Sequence, residues 1–526
     1  MKFDENHWKN WSGNLQYTPV TGQMSDYYFR PKNRAELEQI INDAANENAV
    51  LRVSGQRHSQ PPLVIHDNRE GSSTISKTPW LIDMSCYADL GRHGDENIII
   101  DEAACEVTVN TGVMEYTLVE ALNERNLMPK TVTAGGFFSV GGEVAVDVHG
   151  ATHNECIIAE TAVEYTILKA NGEEQIINES TTEIDGWVPN GDLKPIDFVR
   201  VNLGVLGIVT SVKFSVLPRP CPETLEGSTE KYEAKEKQAF IDCLHDHLQN
   251  YDRIEVYYDP YEEEMLILRW KLNDNDYEPS NKTADSGADA CERSCDGEFG
   301  ADTLPNGMLI EAQNSRLLAK SLCAVGMTTV ETQAESANAA NQELWLKTAT
   351  RVMFLGYFIE LPNTNSGELD LGKVWDALQI VTDKVNDRNN GFYPVAPMEF
   401  RFIKSGCSTM AGTFSENPGT TFVNIGLVGA VDDVPSSDYP EALRKYFAEV
   451  EYAWVNMGGS SHHGKMYGFY DPDVGPTEPT GAFNPNFIAM VRERYGDRLT
   501  QFNHFRQVMD PDGLFYNDYM RTLLEG

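Results

Sequence analysis

The chain has 526 residues, with 42 Lys and Arg against 80 Asp and Glu, a formal charge of −38 at pH 7. That length exceeds the size at which one hydrophobic core keeps growing, so two or more lobes are predicted, with buried volume enough for a cofactor cleft between them. A negative charge of this size repels polyphosphates and anionic lipid heads, which makes nucleic acid and membrane surfaces poor partners.

At the N-terminus, MKFDENHWKNWSG lacks the basic start, apolar run and small-residue cleavage site of a secretory signal. No stretch is apolar for long enough to cross a bilayer. Cytoplasm is the default location, with a secreted mature form left open. Asn33 precedes a helical stripe of Leu37, Ile40, Ile41, Ala44 and Ala45, and Glu36 stands where a capping box places its acid. The helix runs into a strand, AVLRVSG, and a loop carrying QRHS. A second unit repeats the pattern: CEVTVNTG alternates as a strand, and Leu118, Val119 and Leu122 mark the next helix. From Ala134 to Gly150, AGGFFSVGGEVAVDVHG holds five glycines and reads as a loop lying on a ligand. TAVEYTILKANGEEQII predicts a hairpin turning at Asn171-Gly172, and VNLGVLGIVTSVKFSVLP a glycine-punctuated turn entering a strand. The first lobe closes near Pro218.

Residues 271–305 are polar, acidic and poor in aliphatics, the composition of a surface insertion or flap. Strands near 254–270, 352–360, 397–403 and 421–428 alternate with helical segments and make a second lobe. Residues 487–526 read as helix, DPDG turn and aromatic closing segment. Nine cysteines, odd in number and sparse, argue against a disulfide framework. Cys291 and Cys295 lack the four ligands of a structural zinc, and adjacent His462 and His463 point to opposite sides of an extended chain, so no metal is assigned. His245 and His247 fit a solvated helix end.

SGQRHS, VGGEVAVDVHG, NLGVLGIVTSVKF, MEFRF, the HHGK segment and DPDGLFYNDY follow one another in a fixed order. That order resembles the vanillyl-alcohol oxidase (PCMH-type) FAD-linked oxidase superfamily, above all its alditol and aldonolactone oxidase branch, over nearly the whole chain. The resemblance implies an α+β fold: a PCMH-type two-subdomain FAD-binding lobe plus an α+β substrate lobe with an antiparallel sheet. It implies residues 1–220 as the FAD-binding domain, 221–480 as the substrate-binding domain, and 481–526 as a segment returning to the first. It also implies FAD joined covalently to His58, whose neutral imidazole is a nucleophile toward the electron-poor flavin ring. With no cysteine between Thr131 and Gly150, a single covalent link is expected.

The chain lacks a GxGxxG followed by an acid, so the pyrophosphate is not held as in a Rossmann site. The resemblance puts backbone donors of the glycine loops around it: Ser54, Gly55, Gln56, Arg57 and Ser59, then Ser139, Gly141, Gly142 and Gly150, then Gly207 and Val209, with Asn517 from the tail. His149, in VHG, reads as a buried histidine bonded to backbone.

Glu399 and Arg401 are two apart on a strand and share a face, while Met398, Phe400 and Phe402 take the other; the charged face is therefore predicted to look into a cavity. The resemblance sets this pair over the flavin, Arg401 favouring the anionic reduced ring and Glu399 bonding substrate. It also adds Asn424 as a polar substrate contact. Against the family's Pro-His-Trp-Gly-Lys the chain has Ser461, His462, His463, Gly464 and Lys465. Lys465 then supplies positive charge, and His462 serves recognition or proton removal. The implied activity is hydride transfer from an alcohol carbon (polyol, sugar or aldonolactone) to FAD, with dioxygen reoxidising the cofactor to give hydrogen peroxide. A hydrophobic-alcohol or sterol oxidase, and a flavin-binding protein without turnover, are the alternatives.

Overall fold

The computed structural model describes residues 4–71, 76–219, 225–272, 305–336, 344–347, 351–365, 367–387 and 390–526. Most of the acidic stretch 271–305, with Cys291 and Cys295, lies outside them.

The first helix, Arg34–Asn46, begins where the sequence sets it, Asn33 Oδ1 accepting the Glu36 amide at 3.1 Å. The Glu36 carboxylate reaches one residue further back than a capping box requires, to the Lys32 amide at 2.8 Å. Leu37, Ile41 and Ala44 are buried against a small parallel sheet in which Pro79–Ile82 lies between Tyr28–Phe29 and Val50–Val53. Val50–Val53 ends at Ser54, so the QRHS loop leaves the sheet at a strand's C-terminal edge.

A second, antiparallel sheet has the order Glu174–Asn178, Ala162–Leu168, Ile208–Pro218, Glu106–Asn110, Ile98–Asp101, with Leu127–Pro129 on the far end of the long strand. The hairpin turn is closed by Gly172 at φ +79°, a left-handed conformation that favours glycine. The glycine-rich stretch differs from the expected loop: Val140–Ala145 form a short helix.

The third sheet is antiparallel throughout, in the order Leu225–Glu233, Glu264–Leu272, Arg253–Asp259, Met398–Lys404, Thr421–Gly429, Met353–Leu361, Ser460–Ser461. Met398, Phe400 and Phe402 are fully buried on one side, and Phe240, from the helix Lys237–Asn250, meets Phe400 at 6.4 Å between centroids. Glu399 and Arg401 take the other side, as a period-two strand demands.

The tail forms the helices Pro485–Tyr495, Asp497–Met509 and Asp518–Leu524, so the expected aromatic closing segment ends in a helix. Before that last helix, Leu514 accepts a bond from the Leu51 amide at 2.9 Å, and Leu514 and Phe515 pack with Leu37, Ile41 and Leu51. Among the described residues no helix is long and apolar enough to cross a membrane. Cys105, Cys156, Cys243, Cys323 and Cys407 are free thiols, and Cys86 is in a disulfide.

Candidate active site

One cavity of about 310 Å³ is walled by the three sheets above and holds most of the residues singled out from sequence. Ser54, Gly55, Gln56, Arg57, His58 and Ser59 line it from the first loop, Ser139, Gly141 and Gly142 from the second, Gly207 and Val209 from the third. Glu399, Arg401, Asn424, His462 and Lys465 line it from the antiparallel sheet and the turn beyond it.

Two residues of the expected set fall elsewhere. A Cβ on Gly150 would stand 2.1 Å from Val132 O, so glycine there serves backbone packing and does not line the cavity. Asn517 caps the last helix, accepting from the Met520 amide at 2.9 Å and donating to Pro62 O and Leu63 O, both at 3.1 Å. Gly141 lines the wall, but its amide already donates to Thr111 O at 2.9 Å. It allows close approach to Thr111 rather than offering an anion a donor.

The His58 ring is clamped by aromatic neighbours, stacked on Trp11 at 5.1 Å and edge-on to Phe138 at 4.9 Å. Burial, with the charge of Lys465, pushes its pKa down to about 3, so the ring is neutral at physiological pH. Arg57 holds a left-handed φ of +64° with its guanidinium over the rings of Trp8 and Tyr28. Below the loop, Arg52 is buried and donates to Gly204 O and Phe515 O, each at 2.6 Å, and to Leu203 O at 2.7 Å.

On the wall formed by the third sheet, strand register arranges the polar groups. Arg401 is paired across the ladder with Glu255 on one side and Asn424 on the other, and Glu399 with Tyr257 and Gly426. Arg401 binds Glu255 at 2.8 Å and Glu399 at 2.5 Å. Glu255 also accepts from Tyr257 Oη at 2.7 Å and Trp345 Nε1 at 3.2 Å. Burial raises the Glu255 pKa against the pull of Arg401, while the two carboxylates hold the guanidinium firmly charged. Gly426 and Gly356 stand side by side in that row. A Cβ on Gly356 would lie 3.2 Å from Lys465 Cγ, so the lysine stem crosses the sheet where side chains are missing. Its ammonium sits 4.2 Å from the centroid of Phe354, and burial lowers its pKa to about 8.

His149 is a residue that the sequence reading set aside: it does contact backbone, Nδ1 to Gly150 O at 3.3 Å, yet its ring lines the cavity. His463 turns away, bonded to Met410 O at 2.9 Å and Tyr495 Oη at 2.8 Å. Behind the glycine helix, Glu115 and Glu143 are buried together, and Glu115 accepts from the amide and hydroxyl of Thr133. Burial raises both carboxyl pKa values, that of Glu143 strongly, because Glu115 adds repulsion.

A family model described as FAD binding domain matches residues 25–178, and one described as D-arabinono-1,4-lactone oxidase matches residues 365–523. L-gulono-1,4-lactone dehydrogenase of Mycobacterium tuberculosis is 22% identical over 98% of this chain and 99% of its own. L-gulonolactone oxidase of Mus musculus is 23% identical over 49% of this chain and 50% of its own. Among solved structures, cholesterol oxidase of Brevibacterium sterolicum superposes with a TM-score of 0.70 at 14% identity, covering 99% of this chain and 97% of that one, a likeness of fold. With an FAD-binding module ahead of an aldonolactone-oxidase module and a relative alignable end to end, the chain belongs to the PCMH-type FAD-linked oxidase superfamily.

Proposed function

We propose that this protein is an FAD-dependent oxidase of aldonolactones or closely related polyhydroxylated alcohols, with the flavin attached through His58. The observation that carries the proposal is one cavity lined both by a neutral, aromatic-clamped histidine and by Glu399, Arg401, Asn424, His462 and Lys465. The cavity walls suit a dinucleotide: Gly55, Gly142 and Gly207 bring backbone to the surface. In a chain of charge −38, the cations Arg57, Arg401 and Lys465 converge there. These residues fit an anionic cofactor, which Ser54, Gly55, Gln56, Arg57 and Ser59, Ser139 and Gly142, and Gly207 and Val209 would hold.

Bound FAD supplies the acceptor for a hydride from the alcohol carbon and passes the electrons to dioxygen, yielding hydrogen peroxide. The protein's part is binding and charge. Glu399, held by Arg401 at the cavity wall, accepts a hydrogen bond from a substrate hydroxyl. Arg401 and Lys465 place positive charge where negative charge develops, and donors fixed in advance are worth most in a water-poor cavity. The polar groups Glu399, Arg401, Asn424, His462 and Lys465 on the cavity wall favour a hydroxyl-rich substrate over a sterol.

The first test is the absorbance spectrum of acid-precipitated protein. Yellow colour should stay in the pellet of the wild type and move to the supernatant in His58→Ala. A colourless wild-type pellet would end the covalent assignment. Peroxide release screened over 1,4-lactones, alditols, aldoses and sterols should be greatest with lactones or alditols, and a sterol preference would overturn the substrate class.

A further inference from the structure

The turn carrying His462 determines which ring nitrogen holds the proton. The Gly464 amide donates to His462 Nδ1 at 2.9 Å. A backbone amide can only donate, so Nδ1 is an acceptor with its lone pair engaged, and the proton of the neutral ring sits on Nε2. The ring stays in place because Phe358 stacks on it at 5.6 Å with 17° between the planes. The turn is pinned by Asp147, which accepts from the His463 amide at 2.7 Å and the Gly412 amide at 2.8 Å. Asp147 Oδ2 lies 3.9 Å from Nδ1, the natural partner of an imidazolium, but its oxygens serve those two amides and Gly464 N–H stands nearer. The other ionisable groups near the ring are Lys465, His149 and His463, any positive charge on which opposes a second proton. The ring lines the cavity that Lys465 and Asn424 also line.

We infer that His462 donates a hydrogen bond from Nε2–H to an oxygen of the substrate and is not the acceptor of the substrate's proton. The inference rests on the reading of the cavity as an alcohol-oxidising site and deepens it. Nε2 already bears the ring's proton, and a second one at Nδ1 would set two N–H groups against each other at Gly464. What the ring can recognise is an oxygen with an open lone pair, such as a lactone carbonyl, a ring ether or a second hydroxyl next to the reacting carbon. A substrate without it leaves a buried donor unpaired, which a polar site penalises strongly.

The test is nitrogen-15 NMR of histidine-labelled holoenzyme from pH 5 to 9, the His462 signals being assigned by their loss from His462→Gln or His462→Phe. An Nε2–H tautomer that does not titrate, whose proton resonance shifts when a 1,4-lactone is added anaerobically, is expected. A titrating ring, an Nδ1–H tautomer, or no shift at saturating lactone would overturn the inference. In kinetics, His462→Phe keeps the shape and stack but loses the donor, and KM for the preferred alcohol should rise roughly tenfold to a hundredfold with an unchanged pH profile. His462→Gln retains an N–H and should recover part of the loss; disappearance of the acidic limb in both variants would make His462 the base. Absence of turnover with every alcohol would defeat the proposed function while the tautomer remains readable by NMR, so the two failures are separable.

Discussion

Lys465 lines the cavity and changes its charge with pH in the working range. Its ammonium is buried over Phe354, where desolvation and the nearby Arg401 lower its pKa to about 8 and Glu399 opposes them. Below that value the group is a cation, and above it a neutral amine. If the cation is what acts, stabilising negative charge on the cofactor, the rate of flavin reduction is high below about pH 8 and falls as pH rises through it. A lysine acting as base would give the reverse slope. Lys465→Met should lower the rate tenfold to a thousandfold, the range for losing one preorganised electrostatic donor, and remove the limb near pH 8. Lys465→Arg should recover part of the rate and also lack the limb, because a guanidinium does not titrate there. Stopped-flow reduction across pH reads all three proteins. A wild-type rate that climbs through pH 8 would reverse the role assigned to Lys465.

Among the elements, the strand Val50–Val53 does more than lead into the His58 loop. Its Arg52 is 4% exposed and ties three backbone carbonyls together: Leu203 and Gly204 of the third glycine loop, and Phe515 of the tail. Arg52→Lys keeps the charge but cannot reach all three with one ammonium, so at least ~2 kcal/mol of stability should be lost. Urea unfolding would measure it, and limited proteolysis should release the tail after Met509 sooner than in the wild type. An unchanged midpoint and digestion pattern would deny the strand this role. Such a staple is invisible in sequence, since its partners stand 151 to 463 positions away. The alternation of MEFRF was legible because period two is local, and the structure sets Glu399 and Arg401 on the cavity side of their strand. His149 was not, because a histidine bonded to backbone and one facing a cavity carry the same local signature, and here one ring does both. Gly150 misled for a related reason: tight packing against Val132 and a ligand cradle both select glycine. Gly356 and Gly426 escaped notice because their value lies in being neighbours across a ladder, a fact of register rather than of spacing.

For the molecule as a whole, the site depends on two sheets distant in sequence staying in register with each other, and the buried core alone does not secure that. Val107 and Ile167 of the second sheet and Phe400, Ile425 and Trp454 of the antiparallel lobe belong to one continuous hydrophobic cluster, but apolar contact is non-directional and tolerates small slides. Gln60 supplies direction between the His58 loop and that lobe. Only 1% exposed and two residues after His58, it donates from Nε2 to Ser12 Oγ at 3.0 Å and Val352 O at 3.2 Å. Its Oε1 accepts from the Phe354 amide at 2.9 Å, and its own amide donates to Gly464 O at 3.1 Å. One side chain thus joins the His58 loop to the strand beneath Lys465, and its backbone joins the same loop to the turn of His462. Gln60→Ala leaves the Phe354 amide and the Val352 carbonyl without this partner, at a cost of about 1–3 kcal/mol for each group that stays unpaired and buried. The cost should appear as a lower thermal midpoint, and hydrogen exchange at the Phe354 amide should quicken far more than at the core strand Ile208–Pro218. Because Phe354 carries the Lys465 ammonium, flavin reduction should slow while the flavin stays attached to His58. Phe354 exchange at the wild-type rate, with reduction kinetics intact, would show that the lobes hold their register without Gln60.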